Sequence, residues 1–185
     1  MKLNTELIEK FEAGLNPKEL SKSKISVKVL GYGEISTVFQ LEGNDNVAYK
    51  RMPLFTSQKE VQEYITNYSN YCNYITECGI NLPIEETYTV NQPGKPKTLY
   101  ICQEQFPAHC FCNKQLDLLD ETEFTFMLNL IIDEINKVFS FKNQKIKLAI
   151  DGQLSNWVWV QDSAGDRIYY IDTSTPLYKI NNREQ

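Results

Sequence analysis

Two short patterns late in the chain combine acidic and amide side chains: Asp151-Gly-Gln-Leu-Ser-Asn156 and, one hairpin later, Ile171-Asp172-Thr-Ser. A carboxylate can take the proton of an incoming hydroxyl, and an amide oxygen or a second carboxylate can ligate Mg2+. Asp-Gly and Ser-Asn are also good turn formers, so either half alone is ordinary turn chemistry. A second set lies upstream. In Gly31-Tyr-Gly33-Glu-Ile-Ser36 the glycines would let a backbone approach phosphates and aim N–H donors at them, although a hairpin turn needing positive φ selects the same residues. In Val47-Ala48-Tyr49-Lys50, strand alternation puts Ala48 and Lys50 on one face. A small residue there leaves room for a flat base, and the lysine reaches phosphate oxygens. An exposed strand lysine is the commoner fate. Glu60 and Glu63 are the helix carboxylates able to hold Lys50; Glu60 lies nearer the apolar stripe but also suits a capping box, so both stay open beside two solvated glutamates.

The elements that must position these groups follow from periodicity and turn residues. Leu7, Ile8, Phe11 and Leu15 predict a helix over 4–15, ended by Gly14 and Pro17. Strands at 27–31, 36–42 and 46–52, separated by a glycine turn and Gly43-Asn-Asp-Asn46, predict an antiparallel meander. Ser57 with Glu60 opens a helix whose stripe is Val61, Tyr64, Ile65, Tyr68, Tyr71 or Cys72 and Ile75, closed by Gly79. The tyrosines at 68, 71 and 74 read first as core. A hairpin at 84–90 and 98–104 turns at Asn91-Gln-Pro-Gly-Lys-Pro96, and Phe106-Pro107 leads to a helix over 120–139. Strands at 145–150, 157–161 and 167–171 and a tail complete the order. The fold class is α+β, with blocks at 1–25 (helical extension), 26–105 and 106–185.

Composition narrows the function. A chain of 185 residues with 42% apolar content buries a real core and is not disordered. No apolar run approaches a membrane span, and the charged N-terminus is unlike a signal peptide, which predicts a cytoplasmic protein, though delivery to another compartment is compatible with the same features. A net charge of -5 argues against a nucleic-acid partner. Five cysteines, odd in number and set in apolar patterns, predict reduced thiols. His109-Cys110-Phe111-Cys112 invites zinc, but with one histidine in the chain and no second such pair, partly buried small residues are the better reading.

In order and spacing, the motifs resemble the protein-kinase-like fold: GYGEISTV for the glycine-rich turn, VAYK for the strand lysine, Glu60 or Glu63 on the helix, DGQLSN for the Asp-x4-Asn loop and IDTS for the metal aspartate. The likeness covers roughly residues 26–175 and is to bacterial kinase-like proteins and small-molecule phosphotransferases more than to eukaryotic protein kinases. It implies a five-stranded antiparallel N-lobe with one long helix, and a reduced C-lobe of one long helix, the catalytic loop and a hairpin. It implies Mg-ATP between them, with Gly31, Gly33 and Ser36 over the phosphates and Lys50 contacting them beside Ala48. Gln103 to Phe106, including Glu104, would grip adenine; Asp151 would be the catalytic base, and Asn156 and Asp172 would hold Mg2+. The partners implied are a nucleotide and a protein or small-molecule acceptor. Departures are as informative. Ala149-Ile150 stands where His-Arg or His-Gly precedes the base, Asp172-Thr-Ser lacks Phe-Gly, and the chain ends thirteen residues after Asp172. The expectation is therefore a minimal or truncated phosphotransferase, or a pseudokinase that binds nucleotide or a protein without turnover.

Overall fold

Asn4 opens the first helix, α1 (Thr5–Gly14), by accepting the Leu7 N–H on its side chain, and the helix buries Ile8 and Phe11 completely. These two meet Phe39, Leu41, Val47, Tyr49, Val90, Tyr100 and Cys102, the apolar residues of one sheet face. The sheet comprises β1 (Val27–Tyr32), β2 (Thr37–Leu41), β3 (Asn44–Arg51), β4 (Glu85–Val90) and β5 (Thr98–Glu104), in the order β1-β2-β3-β5-β4, antiparallel throughout. The computed structural model describes residues 1–33, 36–52, 55–92, 94, 96–163 and 165–184. Glu34 and Ile35 of the glycine turn, Pro93 and Lys95 of the 91–96 turn, and Ala164 lie outside the described residues.

The β2–β3 turn is tighter than Gly43-Asn-Asp-Asn46 suggests. Gly43, at φ +87°, supplies the left-handed step, so Asn44 is already paired with Leu41. Asn44 then donates to the Tyr49 hydroxyl and Gln40 to the Asp45 carbonyl, which fixes the polar end of β3 inside the ladder. β5 is buried from Thr98 to Gln103, as its place between β3 and β4 requires.

By Cα proximity the chain forms two units: Met1–Ile65 with Ile84–Gln105, and Thr66–Pro83 with Phe106–Gln185. The long helix α2 (Gln58–Glu77) contributes its first turns to the first unit and the rest to the second. The second unit adds α3 (Cys112–Gln115), α4 (Glu121–Phe139), β6 (Ile146–Leu148), β7 (Trp157–Asp162), β8 (Gly165–Tyr170), β9 (Tyr178–Ile180) and β10 (Arg183–Glu184). Its core gathers Tyr71 and Ile75 of α2, Met127 and Ile131 of α4, and Trp157, Trp159 and Tyr170 of the β7–β8 hairpin.

Segment 145–150, expected as one strand, pairs only over Ile146–Leu148, because its partner β9 is three residues long. The tail is not irregular either. Asn181 and Asn182, at φ 50° and 65°, form a two-residue turn that folds β10 back on β9.

Asp120 caps α4 with a reciprocal box: its carboxylate accepts the Glu123 N–H, and the Glu123 carboxylate accepts the Asp120 N–H. Asp120→Ala should lower stability by about 1 kcal/mol in a chemical denaturation series. An unchanged midpoint would mean that solvent caps this helix equally well.

Candidate functional site

The loop after β6 is built on two anchors. The Ala149 N–H donates to the Leu177 carbonyl (2.9 Å), which ends the β6–β9 ladder and releases Ile150 and Asp151 from the sheet. The Asp151 Oδ1 then accepts the Gln153 N–H (3.1 Å), closing an Asx turn around Gly152. A Cβ on Gly152 would stand 3.3 Å from the Ile135 Cδ1 of α4, so glycine lets the loop lie close to that helix. A single 3-10 turn, Leu154–Asn156, leads into β7.

Asn156 is tied to the return strand: its carbonyl accepts the Ile171 N–H (3.0 Å). Asp172 follows directly, and its Oδ1 accepts the Ser174 hydroxyl (3.1 Å). The β7–β8 hairpin thus brings Asn156 and Asp172 to one end of the second unit. Asp151 joins them, since its N–H donates to the Tyr170 hydroxyl over a long 3.4 Å. Burial, followed by the charge of Asp172 and then that of Asp151, pushes the Tyr170 phenol well above its ordinary range. The Tyr71 phenol is raised for the same leading reason, burial, with Tyr170 and Asp172 adding to it.

Spacing alone does not assign these phenols to the site. The Tyr68 hydroxyl meets the Thr173 hydroxyl (3.2 Å), Tyr71 donates to the Ala149 carbonyl (3.0 Å), and Asn67 accepts the Tyr178 hydroxyl (3.3 Å). One face of α2 thus grips the loop before Asp151 and the loop after Asp172. The available signal is a buried stripe that carries phenols where leucines would serve, because a buried phenol needs a hydrogen-bond partner.

In the first unit, Gly31 pairs with Val38 beside an irregularity in β1, and the Gly33 N–H donates to the Ser36 carbonyl (2.8 Å) across the turn. Ala48 and Lys50 share the sheet face opposite α1. Ala48 sits across from Gln103, and Lys50 lies between Val38 and Ile101 with only 7% of its surface exposed. The two helix glutamates are engaged locally. Glu60 accepts the Thr56 N–H (2.8 Å) and hydroxyl (2.7 Å), while its own N–H donates to Ser57 Oγ. The Thr56 hydrogen bonds hold its carboxyl below the usual range. Glu63 faces Lys59 at 3.6 Å with its side chain 62% exposed. At the end of β5 the Glu104 N–H donates to the Ile84 carbonyl (2.8 Å); Phe106 belongs to the second unit, its ring 4.9 Å from that of Tyr169.

Among the described residues no group of three His, Cys, Asp or Glu gathers as a metal cluster, and no helix is long and apolar enough to cross a membrane. All five cysteines are free thiols, and burial raises the Cys112 thiol to about 12. A structure of WaaP in complex with acyl carrier protein is similar at 10% identity and a TM-score of 0.48, over 87% of this chain and 65% of that one. No curated protein matches the sequence. The model of a family of unknown function, DUF6206, matches residues 16–185, and the chain belongs to that family.

Proposed function

We propose that the protein is a kinase-like phosphotransferase that moves the γ-phosphoryl group of ATP to a hydroxyl acceptor. The observation that supports this best is the Ile171-to-Asn156 backbone bond, which sets Asn156 and Asp172 side by side while Tyr170 ties Asp151 to the same place. An amide oxygen and a carboxylate are hard donors of the kind Mg2+ takes, and Mg2+ needs only one or two protein ligands when phosphates and water complete its shell. When bound there, Mg2+ would neutralise charge on the phosphate oxygens. Asp151 accepts the acceptor's proton as its oxygen bonds to phosphorus and ADP leaves. In this reading phosphate contacts also fall to Lys50, buried on its strand, and to Gly31, Gly33 and Ser36. Catalysis comes from positioning and charge neutralisation.

A second reading, a pseudokinase that binds nucleotide or a protein partner without turnover, is favoured by one feature. Glu60 and Glu63 are both committed to neighbours on their own helix or at its start. Calorimetric titration of ATP with and without Mg2+ tests the proposal. Wild type should bind in a metal-dependent manner. Asp172→Ala should weaken that binding at least about 100-fold, the upper end for losing even an outer-shell partner of a metal. Absence of ATP binding under both conditions overturns the proposal. Binding without turnover selects the pseudokinase.

A further inference from the structure

The segment Ala149-Ile150-Asp151 lacks the residues that ordinarily brace such a base, and the structure contains another brace. The Tyr71 hydroxyl has one proton, and it goes to the Ala149 carbonyl (3.0 Å). The Tyr170 oxygen accepts the Asp151 N–H (3.4 Å). The two bonds flank Ile150: the Tyr71 O–H holds the Ala149 carbonyl before it, and the Tyr170 oxygen holds the Asp151 N–H after it.

We propose that this pair of phenols is a clamp that positions Asp151 for proton transfer, making Tyr71 and Tyr170 positioning residues of the site. Two further observations support it. Both rings are fully buried, Tyr71 stacked near Tyr178 and Tyr170 tilted against Trp157 (5.2 Å), so neither phenol has another orientation at hand. The clamp also grips the backbone on both sides of Ile150, which restrains the direction in which the Asp151 side chain leaves the loop. The catalytic role of the clamp rests on the phosphotransferase reading; its existence does not.

Amide hydrogen exchange on the whole protein separates the two. Tyr170→Phe removes the acceptor for the Asp151 N–H and should speed exchange at Asp151 about tenfold, the effect of a hydrogen bond worth about 1.4 kcal/mol. Tyr71→Phe removes the donor to the Ala149 carbonyl on the other side of Ile150 and should also speed the same amide. Tyr68→Phe, which breaks the link to Thr173, should leave it unchanged. Unaltered Asp151 exchange in both Tyr170→Phe and Tyr71→Phe, with circular dichroism showing both folded, overturns the clamp. If one variant fails to fold, the other decides. With ATP and Mg2+, turnover in each variant should fall about tenfold at unchanged KM for ATP, and adding either phenol change to Asp151→Asn should bring little further loss beyond that of Asp151→Asn alone. Faster exchange with wild-type turnover, or a rise in KM alone, overturns the positioning role. A wild type that neither binds nor hydrolyses ATP overturns the phosphotransferase reading and, with it, that role, while the exchange data still judge the clamp.

Discussion

Asp151→Asn should leave the fold intact and reduce phosphotransfer turnover by about 10²- to 10⁴-fold, the range for losing a general base. The substitution is a clean probe because of how the loop is made. Asp151 holds its turn with one acceptor atom, Oδ1, toward the Gln153 N–H, and the asparagine amide oxygen repeats that bond. The link to Tyr170 uses the backbone N–H, which the change does not touch. What disappears is the basicity of the carboxylate. The measurement is steady-state turnover with Mg-ATP against a panel of hydroxyl acceptors, alongside thermal unfolding. Turnover within twofold of wild type for every accepted substrate would remove Asp151 from the mechanism. A large loss accompanied by a drop in unfolding temperature would point instead to damage in the loop. The informative result is loss of turnover at constant stability.

The same loop shows where sequence reading reaches and where it stops. Asp151 and Asn156 stand out because they are close in sequence and their residue types are chemically telling. α2 is legible because Ser57 and Glu60 mark its start and Val61, Tyr68, Tyr71 and Ile75 recur at helical spacing; the buried residues fall on that stripe. Contacts that cross the chain leave no such mark. Tyr71 reaches Ala149 over 78 positions and Tyr68 reaches Thr173 over 105, and no periodicity encodes either pairing. For the same reason a phenol stripe reads as plain core until its partners are seen. β9 and β10 are too short for an alternation pattern to register, although Asn181-Asn182 was a usable turn signal for the step between them. Glu60 is a different case. A capping-box carboxylate and a partner for Lys50 call for the same residue at the same place, and the structure puts its oxygens on Thr56.

The second large effect concerns stability and lies under α1. Glu12→Ala should destabilise the first unit by about 3 kcal/mol, the scale for removing one partner of a buried ion pair. Glu12 is a hub. Arg51 grips it with two hydrogen bonds (2.9 and 2.7 Å), Thr98 adds one at 3.3 Å, and Tyr100 donates a fourth. The side chains are 10% (Glu12) and 23% (Arg51) exposed, so removing the carboxylate strands a guanidinium and two hydroxyls in a dry layer between helix and sheet. Differential scanning calorimetry should show the transition that carries α1 moving down by roughly 6–12 °C. A Glu12→Leu, Arg51→Met double variant should recover much of the loss, because the cost is that of an unmatched charge. The pH dependence has a definite sign. Burial raises the Glu12 pKa, but the Arg51 and Tyr100 hydrogen bonds and the Arg51 charge more than offset it and hold the carboxyl below 4.5. Folding therefore gains from Glu12 in full above the unfolded value of about 4.3, and loses that gain as pH falls through the depressed folded value. The wild-type advantage over Glu12→Ala should be constant from neutral pH down to about 5 and then shrink in more acidic buffer. An advantage that persists unchanged to pH ~2 would mean that the ion pair contributes little and that the loss in Glu12→Ala comes from packing alone.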